Sequence, residues 1–197
     1  MRFPTYSKEV AYRIADTGDP VRYATLALAL VTIEREQILG SLAELGVWRG
    51  TTSAFIHAQL PQRRFYLFDT FAGFPKEIGG DTDHRFSDTS VERVRARIGD
   101  TTNVVFRAGN FPETAQGLES EHFALALIDV DKFEPTLAGL EFFYPRMVPG
   151  GYVFIHDYDS PESNQGVSQA VSRFLRVKPE RVIEIPDMWG SVPFRKL

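Results

Sequence analysis

The chain alternates between short apolar runs typical of buried strands and longer segments with apolar residues at helical spacing. The short runs end in polar or glycine residues, as expected where strands leave a sheet. The pattern predicts strands at about 41–46, 64–68, 104–107, 123–128 and 152–155. It predicts helices at about 50–60, 90–99, 134–146 and 164–176. Strands separated by helices indicate an α/β fold with a doubly wound, mostly parallel sheet.

Both ends of the chain depart from this alternation. Residues 1–40 predict an N-terminal helical extension, in which a helix at about 21–39 covers a sheet edge and could also contact substrate or a partner subunit. At the other end, Arg181–Ile185 and Ser191–Phe194 are joined by a turn that is too short for a crossover helix. These two segments are therefore predicted to form an antiparallel hairpin that closes the sheet.

The connection at 70–89 is long and rich in Gly, Asp and Thr. Loops of this length in compact domains are often lids or binding loops, so we interpret it as a possible lid. No Pro/Gly/Ser-rich linker divides the chain, and the prediction is one domain spanning 1–197.

Composition narrows the class of protein. The 197 residues are 43% hydrophobic, which suits one domain with a sizeable core. A net charge of −4 argues against a nucleic-acid groove and a membrane-binding patch. The absence of cysteine excludes disulfides, thiolate zinc sites and a cysteine nucleophile. The N-terminus has no apolar signal core and no apolar run could span a bilayer, so we expect a cytoplasmic protein.

Acidic residues follow the predicted strands repeatedly. In an open parallel sheet, ligands bind beyond the carboxyl ends of the strands. One rim of the predicted sheet therefore collects five carboxylates, namely Glu44, Asp69, Asp129, Asp131 and Asp157. This clustering is stronger evidence for a site than any one of its members, because a solvated surface would scatter its carboxylates.

The first strand-to-helix loop has the features of a small-ligand loop. Gly46 and Gly50 are spaced as GxxxG, so the GxGxxG fingerprint of dinucleotide-binding folds is absent. Gly46 would let a ligand approach the backbone, and Thr51 and Thr52 lie where free N–H groups and hydroxyls could hold a carboxylate. With Glu44 for an ammonium group, the loop would suit an amino-acid ligand. An ordinary strand-to-helix turn is the alternative.

Two later loops could hold a nucleoside. Asp69 could accept hydrogen bonds from a ribose diol. The alternative is that Asp69 is a helix cap or a turn residue. Phe71 and Phe74 could cover a ligand, and core packing is the commoner explanation for such rings. Asn110 and Phe111 could edge an adenine.

Asp129, His156 and Asp157 would form a cluster of two carboxylates and one imidazole on neighbouring strands. Oxygen-rich sites of this kind hold Mg²⁺ or a similar divalent cation. Carboxylates this close repel, so either a cation or a proton is expected between them. His156 could equally be a neutral hydrogen-bonding residue.

Five ordered motifs together resemble the macrocin and mycinamicin O-methyltransferases and the related aminocoumarin sugar methyltransferase. They are Glu44–Gly50, Phe68–Pro75, Asp129–Asp131, Tyr144–Arg146 with Pro149–Gly151, and His156–Tyr158. The family comprises class I enzymes that use S-adenosylmethionine and a divalent metal. Its fold, a seven-stranded sheet with a reversed last strand, agrees with the predicted hairpin.

The resemblance implies a role for each part of the rim. The methionine part of the cofactor would be held by Glu44, Gly46, Val47, Gly50, Thr51 and Thr52. Asp69, with Thr70 and Phe71 after it, would bind the ribose, and Asn110 and Phe111 would lie by the adenine.

For the acceptor side, the resemblance implies that Asp129 and Asp157 are metal ligands and that Asp131 is the general base. Lys132 is a rival base, because metal-dependent catechol methyltransferases place a lysine in a similar position. The chain departs from the family at His156, where a second aspartate is usual. Histidine can ligate a metal, but it removes one negative charge from the site.

The expected function is therefore S-adenosylmethionine-dependent, divalent-metal-assisted O-methylation of a small-molecule hydroxyl, on a sugar or another natural product. The alternatives are a catalytically inactive cofactor-binding protein or regulatory subunit, and a nucleotide-using α/β enzyme of another class. Missing GxGxxG and P-loop patterns argue against the latter. No nucleic-acid or membrane partner is expected, and the N-terminal helices could form a homodimer surface.

Overall fold

The structure is a computed structural model that describes residues 6–79 and 83–197, apart from the side chain of Glu77. Residues 1–5 of the predicted N-terminal extension and 80–82 of the predicted lid lie outside the described residues.

One mixed sheet organises the described residues, in the strand order β3-β2-β1-β4-β5-β6. The first five strands are parallel, and β6 runs antiparallel to β5. The strands are β1 Ser41–Leu45, β2 Phe65–Asp69, β3 Val104–Ala108, β4 Phe123–Ile128, β5 Met147–Ile155 and β6 Val192–Arg195. The predicted fold class, a doubly wound and mostly parallel sheet with an antiparallel C-terminal end, is confirmed.

Helices cover both faces of the sheet, so the central strands are apolar on both sides. The helices are α1 Lys8–Ala15, α2 Pro20–Arg35, α3 Thr51–Gln59, α4 Lys76–Gly79, α5 Val91–Ile98, α6 Phe133–Phe143 and α7 Gly166–Leu175. All six residues of β4 are buried, with Leu125 and Leu127 in the apolar layer beneath α1, α2, α3 and α5, and Ala126 and Ile128 in the layer beneath α6 and α7.

Capping residues fix where the N-terminal helices begin. Ser7 accepts a hydrogen bond from the backbone N–H of Val10 at 3.3 Å, and Asp19 accepts one from that of Arg22 at 3.2 Å. Pro20 opens α2, because its missing N–H would have no partner there.

The sheet has six strands and not the seven expected from the sequence. The segment 181–185 pairs with β6 by only two backbone hydrogen bonds, from Ile183 N to Pro193 O at 3.1 Å and from Ile185 N to Ser191 O at 2.8 Å. The reciprocal bonds are missing for two reasons. Pro193 has no N–H, and the N–H of Ser191 donates to the carboxylate of Asp187 at 2.9 Å. The segment therefore follows β6 as an irregular chain.

Within 6–79 and 83–197, no helix has both the length and the apolar character needed to cross a bilayer.

Candidate active site

A cavity of about 560 Å³ opens at the carboxyl ends of β1, β2, β4 and β5. Most residues predicted from the sequence to form the site line this one cavity. They are Glu44, Gly46, Val47, Thr51, Thr52, Asp69, Thr70, Asn110, Phe111, Asp129, Asp131, His156 and Asp157. The topology explains the convergence, because parallel strands bring their carboxyl ends to one edge.

Three predicted site residues do not line the cavity. Phe71 is 8% exposed, and its ring packs against Phe106 in the core. Lys132 lies 3.6 Å from the carboxylate of Asp83 and over the ring of Phe74, in the connection that follows β2. Gly50 directly precedes α3 and has a left-handed backbone conformation. We therefore place these three beside the cavity and not in it.

The two loop glycines are required by packing. A Cβ atom at Gly46 would lie 1.8 Å from the backbone oxygen of Asp129, and one at Gly50 would lie 2.6 Å from a Val94 methyl group. Both residues have positive φ angles, 88° and 73°. Gly46 thus lets β1 and β4 approach each other where they end, which differs from the close ligand approach expected from the sequence.

Glu44 is a buried carboxyl group at the inner wall of the cavity. It is 1% exposed, and its described side-chain partner is the hydroxyl of Ser53, at 2.5 Å from Oε2. Burial raises the pKa of Glu44 to about 8, and the hydrogen bond from Ser53 lowers it by less. A cationic ligand beside Glu44 would stabilise the carboxylate form.

Asp69 holds the first loop in place. Its Oδ2 atom accepts the backbone N–H groups of Val47 at 2.6 Å and Trp48 at 2.8 Å, and Oδ1 accepts that of Phe71 at 2.7 Å. These bonds occupy about three of the four lone-pair directions of a carboxylate, leaving about one for a ligand.

The remaining cofactor candidates lie at three edges of the cavity. Thr51 and Thr52 are in the first turn of α3, where backbone N–H groups have no intrahelical acceptor. Asn110 is exposed at the end of β3, and Phe111 packs its ring against Phe68 and Phe143. Thr70 is turned towards the following loop, donating to the backbone oxygen of Gly73 at 2.5 Å.

Asp131 and Asp157 form a carboxyl pair at the inner end of the cavity. Both have left-handed backbones, with φ angles of 56° and 60°, and both are buried. Burial and a hydrogen bond with Asp157 raise the pKa of Asp131 to about 9. Near neutral pH the pair therefore shares one proton, which is one of the two outcomes expected for adjacent carboxylates.

Arg22 of α2 lies among the residues that were predicted to ligate a metal. Its Nη2 atom donates to Asp129 Oδ2 at 2.6 Å, and its Nη1 atom lies 3.1 Å from His156 Nε2. On its other side, the imidazole Nδ1 lies 3.2 Å from Asp129 Oδ1 and 3.1 Å from Asp157 Oδ2. The Arg22 guanidinium holds the pKa of Asp129 well below its usual range, against the effect of burial.

The proton positions on His156 follow from these contacts. A guanidinium only donates, so the contact with Arg22 is a hydrogen bond only when Nε2 carries the lone pair and Nδ1 carries the proton. Charge favours a second proton, because burial lowers the pKa of His156 and the Asp129 carboxylate raises it by more. In either form, Nδ1 is protonated towards the two carboxylates.

Two groups of side chains bring the kinds of atom that bind a divalent cation close together. The ligand atoms of Asp129, His156 and Asp157 lie within 4.8 Å of one another, as do those of Asp19, His156 and Asp187. A metal ion needs a ring nitrogen with a free lone pair. The proton occupies Nδ1 and Arg22 faces Nε2, so this arrangement of side chains does not fit a metal ion. The metal site expected from the sequence therefore stays a prediction.

The sequence reasoning missed Arg22 as a site residue. Its position offered a signal, because Arg22 shares a helical face with Leu26, Leu30 and Ile33, all of which are buried. A cation on an otherwise apolar stripe needs a buried partner. Trp48, Met188 and Trp189, which line the outer part of the cavity, were missed because their loops carry no periodic pattern.

Comparison with known proteins gives one family. The family model of macrocin-O-methyltransferase (TylF) matches residues 11–195, nearly the whole chain.

Two curated relatives agree with that match. The chain is 34% identical over 157 residues to the 8-demethyl-8-(2,3-dimethoxy-alpha-L-rhamnosyl)-tetracenomycin-C 4'-O-methyltransferase of Streptomyces olivaceus, covering 70% of this chain and 60% of that one. It is 29% identical over 156 residues to the mycinamicin III 3''-O-methyltransferase of Micromonospora griseorubida, covering 68% and 61%. The chain thus spans about three fifths of the length of these relatives.

Solved structures share the fold. The O-methyltransferase NovP superposes with a TM-score of 0.73 at 22% identity, covering 90% of this chain and 80% of that one. The calicheamicin methyltransferase CalS11 superposes with a TM-score of 0.68 at 22% identity, covering 97% and 94%.

Proposed function

The chain belongs to the macrocin-O-methyltransferase (TylF) family, and on that premise we propose that it transfers the methyl group of S-adenosylmethionine to a hydroxyl of a small molecule. One observation carries the proposal beyond family membership. A single cavity joins a buried carboxyl group suited to an ammonium ion, Glu44, to a carboxyl pair suited to accepting a proton, Asp131 and Asp157.

The described residues fit the cofactor. Glu44 is buried with one described side-chain hydrogen-bond partner, and an ammonium group would supply the charge that it lacks. The first-turn N–H groups of α3, at Thr51 and Thr52, would hold the carboxylate of the methionine part. The last free lone-pair direction of Asp69 would accept a ribose hydroxyl, and Asn110 and Phe111 would border the adenine. When bound, the cofactor supplies an electrophilic methyl group on a sulfonium ion.

The chain's own contribution is alignment and proton removal. The hydroxyl proton of the acceptor would pass to Asp131, while the bound cofactor would supply the methyl group and leave as the neutral thioether S-adenosylhomocysteine. Asp131 would act as the base in its carboxylate form, and its raised pKa makes that carboxylate a stronger proton acceptor than an ordinary aspartate. The position of Lys132 beside Asp83 and outside the cavity supports Asp131 over Lys132 as the base. No step is routed through a metal ion, because the donor set does not fit one.

We propose a sugar hydroxyl as the acceptor. The two curated relatives are named for methylation at 4' and 3'' positions, the first of them on a rhamnosyl-bearing compound. In this chain, Trp189 and Met188 are 39% and 59% exposed at the cavity mouth, where the flat face of an indole can pack on a sugar ring.

The connection after β2 is proposed to act as a lid. Arg85 pairs with Glu162 across the cavity mouth, and Trp48 Nε1 donates to Asp88 at 2.8 Å. Phe86 contacts both Trp48 and Phe74 edge-on, with ring centroids 5.4 Å apart in each case. Phe86 and Asp88 thus join the later part of the connection to the first loop at Trp48, and Arg85 joins it to the segment after β5, so closure would enclose the reacting groups. A cytoplasmic location, action on a small molecule without a nucleic-acid or membrane partner, and a homodimer formed through the N-terminal helices complete the proposal.

Calorimetric titration with S-adenosylhomocysteine tests the cofactor assignment. We expect S-adenosylhomocysteine to bind the wild-type chain. We expect at least tenfold weaker binding by Glu44→Ala, which leaves the ammonium group without its carboxylate. Glu184→Ala, on an exposed residue outside the cavity, is the matched control. No detectable binding by the wild type would reject the proposal outright.

Transfer of a labelled methyl group from S-adenosylmethionine to simple L-rhamnosides tests the reaction. Product from the wild type, together with loss of turnover but not of S-adenosylhomocysteine binding in Asp131→Asn, supports the assignment. Cofactor binding with no transfer to any glycoside or other hydroxyl compound would favour a non-catalytic cofactor-binding protein instead.

A further inference from the structure

We propose that Arg22 takes the place of the divalent cation among Asp129, His156 and Asp157, so that methyl transfer by this chain needs no metal ion. The inference rests on the proposed methyl transfer and adds a catalytic residue to it. The observation that carries it is the position of a buried guanidinium between the ring of His156 and the carboxylate of Asp129.

The contacts of Arg22 are those of a cation built into the site. The side chain is 12% exposed, and its 2.6 Å hydrogen bond to Asp129 is a short, charge-assisted one. The second nitrogen, Nη1, lies 3.1 Å from Nε2 of His156. The guanidinium thus supplies positive charge to the same carboxylate that a metal ion would neutralise.

Helix α2 delivers Arg22 on a fixed backbone. The N–H of Arg22 donates to the capping residue Asp19, and the Oδ2 atom of Asp19 accepts the N–H of Met188 at 3.1 Å. The next residue, Tyr23, contacts Phe55 edge-on at 4.8 Å and lies 3.0 Å from the hydroxyl of Thr52. The contacts of Asp19 and Tyr23 hold the first turn of α2 against the site. The backbone that carries Arg22 is therefore fixed beside the cavity.

A divalent cation would have to displace this arrangement. It would lie beside the Arg22 guanidinium, which keeps its charge at every working pH. Two neighbouring positive charges repel each other strongly in a buried site. It would also have to take its nitrogen ligand from His156, whose Nε2 atom faces Arg22 at 3.1 Å and whose Nδ1 atom lies 3.2 Å from Asp129 and 3.1 Å from Asp157.

Arg22 can perform the electrostatic part of the metal's task. A guanidinium has five N–H donors, and the contacts to Asp129 and His156 use two of them. Arg22 lines the cavity, so donors remain for an acceptor oxygen there. As Asp131 takes the hydroxyl proton and the oxygen bonds to the methyl carbon, the adjacent guanidinium stabilises the negative charge that develops on the oxygen.

The inference is tested by Mn²⁺ binding, read from the electron paramagnetic resonance signal of free Mn²⁺. Chelator-treated wild-type chain, saturated with S-adenosylhomocysteine, is titrated up to about 1 mM Mn²⁺, the weak end of protein sites for hard cations. We expect no saturable uptake. The double variant Arg22→Met with His156→Asp places a third carboxylate at the site and removes the guanidinium, and we expect it to bind one Mn²⁺ per chain.

Two further variants control the experiment. Adding Asp157→Asn to the double variant should abolish the gained uptake, which assigns it to this cluster. Arg35→Met, which removes an exposed arginine from the same helix, should behave as the wild type. Should the double variant not fold, Mn²⁺ uptake is compared between the wild type and the Arg22→Met single variant. This comparison still tests whether Arg22 excludes the ion.

Saturable Mn²⁺ uptake by the wild type that Asp129→Asn removes would overturn the inference, because Arg22 would then have yielded its place to the metal. Uptake by neither the wild type nor a folded double variant would also count against it, since Arg22 would not be what excludes the ion. Binding of S-adenosylhomocysteine is measured in the same samples. Its loss would reject the proposed function, whereas Mn²⁺ uptake with intact cofactor binding rejects the role of Arg22 alone.

Discussion

Glu44 and Asp69 end neighbouring strands of the sheet, yet their partners differ completely. Asp69 accepts three backbone N–H groups and holds the first loop, whereas Glu44 has the single hydroxyl of Ser53 and almost no exposure. The sequence predicts that both lie at the rim, because strand ends are readable from the apolar pattern. Their hydrogen-bond partners come from distant residues and are not readable in this way, which is also why Arg22 was missed.

The raised pKa of Glu44 predicts that cofactor binding depends on pH. In the free chain, burial raises this pKa to about 8, so Glu44 is protonated at pH 6 to 7. An ammonium group needs the carboxylate, so binding must release the proton, and affinity for S-adenosylhomocysteine should rise towards tenfold per pH unit between about pH 6 and 7.5. Calorimetry in buffers of different ionisation enthalpy would count the released proton directly.

The Glu44→Gln variant should bind S-adenosylhomocysteine more weakly and without this pH dependence. The range stops at about pH 7.5 because the ligand's own α-amino group loses its proton near pH 8. A wild-type dissociation constant that is constant over the range, with no proton released, would show that Glu44 does not hold the ammonium group.

At the scale of elements, the sequence predicted what short-range periodicity encodes. The five parallel strands and the helices between them were correct because buried strands and amphipathic helices each repeat within a few residues. The prediction of an antiparallel C-terminal end was correct, but the predicted number of strands was wrong. Strand formation at 181–185 depends on whether Pro193 and Ser191 can donate across to it, and neither does. Such pairing is set by the partner segment and not by the local pattern.

The end of β1 predicts a large stability effect at one glycine. In Gly46→Ala the new Cβ would lie 1.8 Å from the backbone oxygen of Asp129, at a φ angle of 88°. Strain and overpacking together should lower the free energy of unfolding by about 2–5 kcal/mol, measured by urea titration.

Gly18→Ala is the matched control for this substitution. None of the described atoms outside its immediate neighbourhood lies within 4 Å of a Cβ built at Gly18, so the change should stay within about 0.5 kcal/mol of the wild type. Equal stabilities of the two variants would mean that β1 and β4 do not approach as closely as described.

At the scale of the whole molecule, two apolar layers and one polar anchor hold the described chain together. The layers lie on the two faces of the sheet, one under α1, α2, α3 and α5 and one under α6 and α7. The anchor is Glu180, which is 3% exposed and joins the segments after α6, α7 and β6. It accepts the hydroxyl of Tyr144 at 2.7 Å, Nζ of Lys196 at 3.0 Å and the N–H of Leu197 at 3.2 Å.

Glu180 predicts a specific loss of stability in acid. Burial raises its pKa, but the hydrogen bonds from Tyr144, the backbone and Lys196 lower it by more, so the pKa is about 2 in the folded chain against 4.5 for an ordinary glutamate. A carboxyl group whose folded pKa is depressed stabilises the fold above its unfolded pKa, and this contribution disappears as the pH falls through the folded pKa. Its contribution at neutral pH is about 3 kcal/mol.

The Glu180→Gln variant should therefore be less stable than the wild type at pH 7, by a difference that shrinks as the pH falls from about 4.5 towards 2. Urea titrations at a series of pH values measure it, with the exposed Glu184→Gln as the control. A difference that stays constant over this range would show that the charge of Glu180 does not contribute.

The most direct test of the account is turnover without metal. Labelled S-adenosylmethionine and an L-rhamnoside are incubated with the wild-type chain in excess EDTA, and the methylated glycoside is measured beside Asp131→Asn and Arg22→Met. We expect product from the chelated wild type at an undiminished rate and a drop of at least about 100-fold in both variants, the scale of a lost proton-transfer or oxyanion-stabilising group. Activity that disappears with EDTA and returns with Mg²⁺, or that survives in Asp131→Asn, would contradict it.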